Sequence, residues 1–232
     1  MSTTNLNSTG FNAIAHIVPL VMMVTFFCMA WLWPDYFEAK IVLRESLEGA
    51  GLAENLTVAL LIPGIISGFY VLVRYSHLLP DFRVFGWLLM WTLACVYFAG
   101  EESSWGQWYF QWDTPDAFKG INDQQETNLH NISSWMDQKP RALVELWIFI
   151  GGLILPLVQW IRGRPLYAVD QWKYWIQVPT LCFSAALFFA TLRFAKWNEQ
   201  LLMQRYGDPE LREMAIALFL TLYLCSYLVR LK

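Results

Sequence analysis

The chain has 232 residues, of which 56% are hydrophobic and only 15% charged, with a formal net charge of −3. Soluble domains carry about a quarter charged residues, so this composition, with a mean hydropathy of +0.36, excludes an ordinary globular enzyme and fits a polytopic membrane protein. The slight acidity argues against a nucleic-acid partner, which would need a basic face, and membrane lipid is the expected surrounding.

A helix needs about 20 apolar residues to cross the hydrocarbon. Six runs qualify: Ala13 to Trp33, Leu56 to Val73, Val84 to Ala99, Ala142 to Ile161, Tyr174 to Leu192 and Met214 to Val229. The expected fold is therefore all-α, a transmembrane bundle of about six spans forming one membrane domain over residues 1–232. A long, partly helical interfacial loop joins spans three and four. The first run ends in Trp31-Leu32-Trp33-Pro34 and lacks the basic flank of a cleavable leader, so it reads as a retained span. The second contains Pro63-Gly64 and Gly68, which predicts a kink or close packing against a neighbour. The third is short unless it continues into Glu101-Glu102.

Start signals frame the later elements. Asp208-Pro209-Glu210 offers an N-cap, a proline at the first helical position and a first-turn acid. Thr114-Pro115-Asp116 offers the same for a short helix ending near Gly120, and Pro140 fits the first turn of span four. Tryptophans and tyrosines crowd the run ends, as in an interfacial belt; the Trp105 to Trp112 cluster reads as belt or packing in preference to a substrate slot. Cys28, Cys95, Cys182 and Cys225 each sit inside an apolar run and read as buried small side chains. The loops Arg74 to Arg83 and Arg162 to Lys173 are short and basic, whereas the other three are long and rich in acids. By the positive-inside rule this puts both termini in the cytoplasm, with Arg193 and Lys196 as contrary signals.

The chemistry concentrates after span three. Gly100-Glu101-Glu102-Ser103-Ser104-Trp105-Gly106-Gln107 follows the uncharged run, and a second polar stretch reads Glu126-Thr127-Asn128-Leu129-His130-Asn131. Carboxylates at membrane depth are expensive and usually have a use. Glu101 and Glu102 lie about 100° apart on a continuing helix, so one is expected to face the bundle and the other the rim. Glu126 and His130, at i and i+4, share a helical face. Glu101, Glu102 and His130 are the candidate catalytic residues, as base, ligand or acid. Gln107, Trp105, Asn128 and Asn131 are the candidates for binding substrate. Glu102, Glu126 and His130 form a candidate set for a divalent metal ion, with Glu54 as a further acid. Glu145 lies inside an apolar stretch; Arg193 is either its partner or, the favoured reading, snorkels to headgroups.

Together with Thr114-Pro115 and Asn122-x-Gln124, these segments resemble a family of uncharacterised bacterial multi-spanning membrane proteins that carry G-E-E-I-S-W-G-Q, a T-P-E turn and N-x-Q-x-E-T-N-L-H-N. The close resemblance covers residues 100–131, with Ser103 where isoleucine is commoner and Asp116 where glutamate is. An earlier E-D-G-x-x-E-x-x-T-A segment of that family is matched only loosely, by residues 48–57. The resemblance locates a site and implies a bacterial inner-membrane protein, without naming a reaction. The leading expectation is a membrane-embedded hydrolase or transferase acting on a lipid or lipid-linked substrate at an interfacial carboxylate/histidine site. The alternatives are a proton- or cation-coupled transporter or channel, and a non-catalytic subunit or assembly factor whose motif caps the bundle.

Overall fold

The computed structural model describes residues 3–42, 51–120, 127, 134–197 and 205–231. The described residues are 84% helical and contain no strand. Six helical segments are long and apolar enough to cross a membrane: Thr9–Leu32, Leu52–Arg74, Phe82–Glu102, Lys139–Arg162, Trp172–Trp197 and Pro209–Arg230. The protein is thus an integral membrane helix bundle.

In chain order the helices are α1 (Thr3–Leu32), α2 (Pro34–Phe37), α3 (Leu52–Arg74), α4 (Phe82–Glu102), α5 (Gln107–Phe110), α6 (Asp116–Lys119), α7 (Ser134–Trp147), α8 (Leu155–Arg162), α9 (Trp172–Ile176), α10 (Phe183–Trp197) and α11 (Pro209–Arg230). A π-helical stretch, Ile148–Ile154, joins α7 to α8 as one span. α11 is the hub: 78% of its most apolar stretch is buried inside the protein, against 22–56% for the other five. A helix apolar on every side must be surrounded, and α11 packs chiefly against α3, then against α10 and α4. α1 lies outside, against α10.

Lipid tails supply no hydrophobic drive between helices, so close backbone approach and interhelical hydrogen bonds hold the hub. A Cβ on Gly64 would sit 2.7 Å from Thr221 Oγ1, and one on Gly68 would run into Thr92 Oγ1. Pro63 leaves α3 one continuous helix. Around it, the Leu60 carbonyl accepts from Thr221 Oγ1 at 2.5 Å and the Pro63 carbonyl from Cys225 Sγ at 3.7 Å. Of the two expectations for this span, close packing is the one the structure bears out.

Spans alternate in direction, so the connections sort onto two faces. At one, Arg230 donates to the carbonyls of Tyr174 and Trp175 (3.2 and 3.1 Å) and lies 4.4 Å from the Tyr227 ring. Arg83 lies 4.7 Å above Trp172. The three long connections share the opposite face. Arg205 reaches Asp35 (3.0 Å) and Glu38 (2.6 Å), and Tyr109 donates to Asn55 Oδ1 at 2.9 Å.

Several local expectations need correcting. Pro140 is the second residue of the fourth span, Lys139–Arg162, as expected, although helix α7 itself begins earlier, at Ser134. Pro115 is the N-cap of α6 and not its first helical residue; Thr114 instead accepts a hydrogen bond from Gln107 Nε2 (2.9 Å). Among the belt residues, Trp31, Trp33 and Trp197 are exposed, but Trp175 is buried and donates to the Val169 carbonyl. The Asp208 cap is as expected, its carboxylate accepting from Glu210 N at 2.9 Å. Burial nevertheless pushes this carboxyl above the usual carboxylate range.

Gly68→Ala should lower the thermal midpoint by several degrees, because backbone and Thr92 must separate to admit one methyl group. Adding Thr92→Ala should recover most of the loss. An unchanged midpoint for the single variant in a thermal melt would show that α3 and α4 do not pack this closely.

Candidate functional site

α4 runs on through Glu102, so both acids are helical. The chain then turns sharply. Ser103 Oγ donates to the Ala99 carbonyl at 2.8 Å, and Ser104, Trp105 and Gly106 follow with φ of 46°, 56° and 98°. Such conformations cost of order 1–3 kcal/mol at a residue with a side chain and persist only when the surroundings enforce them. Here the turn folds Trp105 back over the helix end, where its Nε1 donates to Glu101 Oε1 at 2.7 Å. The Trp105 ring occupies the space a Cβ on Gly100 would need, 2.9 Å away.

Gln107 continues the same construction. Its Nε2 donates to Thr114 Oγ1, and its Oε1 accepts from Thr127 N at 2.7 Å. One amide side chain therefore fastens the two halves of the motif. Glu126, Asn128, His130 and Asn131 lie outside the described residues, so their side chains enter no geometry here.

Glu101 and Glu102 both line one cavity of about 190 Å³, between α4, α7 and α11. The expected division into bundle-facing and rim-facing acids does not occur. Instead the two differ in partners. Glu101 is buried and held by Trp105. Among the described residues Glu102 meets other acids: Glu102, Glu210 and Glu213 each place a carboxylate oxygen within 4.8 Å of the others, and the charge of Glu54 reaches the same point. Glu54 also accepts from Gly51 N at 2.6 Å, and its charge together with burial raises the Tyr109 phenol above its ordinary range.

The guanidinium groups nearby already have acid partners. Glu145 receives Arg141 at 3.6 Å, Arg193 at 3.4 Å and Arg212 at 3.4 Å, while Arg141 also pairs with Glu213. Arg193 is thus a partner of Glu145 and sits 5.3 Å from the Trp197 ring, which corrects the snorkelling expectation. No lysine or arginine pairs with Glu102 among the described residues.

A carboxylate set of this kind could hold a hard divalent cation. It differs from the set read in the sequence: Glu102 is common to both, whereas Glu210 reads in the sequence as a first-turn acid of the last helix and Glu213 joins the set only in the structure. Their signal was their i, i+3 spacing on a helix start that must return to the face reached by Glu101-Glu102. Comparison with known proteins finds no family model, curated protein or solved structure that matches the chain, so the family resemblance rests on its motif residues alone.

Two acids of equal charge should respond oppositely to neutralisation. Glu145→Gln takes the acid away from Arg193 and Arg212 and leaves Arg141 with Glu213 alone, and should cost about 3–5 kcal/mol. Glu102→Gln relieves repulsion among three carboxylates and should leave the thermal midpoint unchanged or raise it. A midpoint that falls equally in both variants would assign Glu102 a structural role.

Proposed function

We propose that the protein is a membrane-embedded enzyme, a hydrolase or transferase acting on a lipid or lipid-linked substrate, with Glu102 as its working carboxylate. The observation that carries this reading is the cavity itself. Its walls are apolar at span depth (Trp91, Ala94, Phe98, Val144, Ile216 and Leu220), and its polar end holds Glu101, Glu102, Arg141 and Glu213. A lipid-linked group bound along the walls brings its polar end to the acids. There, Glu102 takes a proton from water or an acceptor hydroxyl as that oxygen attacks the electrophilic carbon or phosphorus of the polar end; the bond to the lipid-side oxygen breaks, and Glu102 returns the proton to that leaving oxygen.

Trp105, Glu101 and Gln107 act as positioning residues in this scheme, since their polar groups are engaged in holding the turn. That engagement is what favours the cap reading for the motif, but Glu102 takes no part in it. Transport is disfavoured because the charged groups of the cavity lie at the ends of α4, α7 and α11, whereas transporter sites form near the bilayer midplane at broken helices. The short basic connections on the face carrying both termini support a cytoplasmic location for that face, and the resemblance supports a bacterial inner membrane.

The test is turnover in vesicles of phosphatidylethanolamine and phosphatidylglycerol supplemented with lipid-linked substrates, with products read by mass spectrometry. Glu102→Gln should lose about 10²-fold or more, the range of a lost general base, while Gln107→Ala should lose less. Chelation and metal analysis of the same preparation separate the two roles open to Glu102: activity lost with a stoichiometric metal makes it a ligand, activity kept makes it a base. Undiminished turnover by Glu102→Gln, or proton or cation flux with no product, would overturn the proposal.

A further inference from the structure

The face away from the cavity's acids carries the opposite charge. Its two connections, residues 75–81 and 163–171, and the helix ends beside them hold Arg74, Arg83, Arg162, Arg164, Lys173 and Arg230 against two acids, Asp81 and Asp170. Arg230 is taken up by backbone carbonyls, and Arg83 by Asp81 at 2.7 Å. Arg74, Arg162, Arg164 and Lys173 are exposed, and no acid pairs with any of them among the described residues. Like charges gathered this way repel, and an anion from outside relieves the repulsion. The opposite face differs: there Lys119 pairs with Asp116, and Arg205 with Asp35 and Glu38.

The helix α9 gives the excess charge a centre. The Arg83 guanidinium lies 4.7 Å from the Trp172 ring and Lys173 Nζ lies 5.8 Å from it, with the Tyr167 ring a further 5.7 Å neighbour of Lys173. Cations from two connections thus come to one indole, the side chain that membrane proteins place at headgroup level.

A second, independent observation identifies the kind of anion. Ile161 is 87% exposed, Phe82 82% and Val73 75%, and each stands directly beside an arginine: Arg162, Arg83 and Arg74. Three span ends at this face therefore repeat one pair, an outward apolar side chain next to a cation. A free phosphate would meet the cations and leave the apolar partners bare. A phospholipid covers both, its phosphate on the cations and its acyl chains on the apolar residues.

We infer that this face binds an anionic diacyl phospholipid, with its phosphate at Trp172, where Arg83 and Lys173 come to one ring, and its acyl chains over the apolar residues of the adjoining span ends. Arg162 and Arg164 add to the same positive field, which attracts anionic headgroups at close range.

The full-length protein in maltoside micelles should be titrated with phosphatidylglycerol and phosphatidylcholine of equal chains, bound lipid being read by native mass spectrometry. Each cation near an anionic headgroup contributes about fivefold in affinity, so phosphatidylglycerol should bind roughly tenfold more tightly than phosphatidylcholine. Arg162→Gln with Lys173→Gln should remove most of that preference. Arg162→Lys with Lys173→Arg keeps the charge and should keep the preference. Lys119→Gln with Lys139→Gln, which takes two cations from the opposite face, should leave it unchanged. Excess inorganic phosphate should not displace the bound lipid. Equal binding of the two lipids, a preference that Arg162→Gln with Lys173→Gln leaves intact, an equal loss in both glutamine pairs, or displacement by inorganic phosphate would each overturn the assignment.

Discussion

Charge buried in a membrane protein must be compensated, and at this face the compensation is spent on one residue. Glu145 gathers Arg141, Arg193 and Arg212 from three different helices, α7, α10 and α11. Breaking such a buried network is costly because each orphaned charge keeps its desolvation penalty. The network therefore fixes how these three helices meet. Glu213 is served by the same Arg141. Glu102 is left among acids, and the reactivity assigned to it follows from that division.

The segment after α4 makes the division possible. A plain helix end would leave Glu101 and Glu102 chemically alike. The left-handed run Ser104–Gly106 instead returns Trp105 to Glu101, and Gln107 ties the turn to Thr114 and Thr127. Most of the motif thus reads as a folding device: Gly100 admits a ring, Glu101 accepts its N–H, Gly106 supplies the φ, and Gln107 is the clasp. Glu102 has no part in that device. It faces Glu213 and the cavity instead, which is what supports reading it as the working carboxylate.

The bundle was legible in the sequence because hydropathy and length decide a membrane helix almost alone. All six spans fell where the apolar runs lie. Their ends were less legible, since α4 and α7 extend past their apolar runs through polar residues whose partners come from elsewhere in the chain. The Glu101-Glu102 motif stood out because acids are rare beside such runs. Glu210 and Glu213 did not, because a first-turn acid is common at any helix start, and only the antiparallel return of α11 beside α4 makes them neighbours of Glu102. Arg193 was misjudged for the same reason. Snorkelling is the default for a lone arginine near a span end, and its acid lies on another helix.

Helix direction sharpens the difference between these acids. Side chains lean toward the N-terminus of their own helix, so Glu102, the last residue of α4, leans back into the slot toward bilayer depth. Glu210 stands in the first turn of α11, where the positive end of the macrodipole favours a carboxylate, and Glu213 follows in the next turn; Glu102 stands where the negative end opposes one. Its position is thus unfavourable through its neighbours and through its own helix. A carboxylate held among other acids at the end of an apolar slot is costly, and the strained turn that follows it is a second cost. Two adjacent costs of this kind fit a site kept for what it binds.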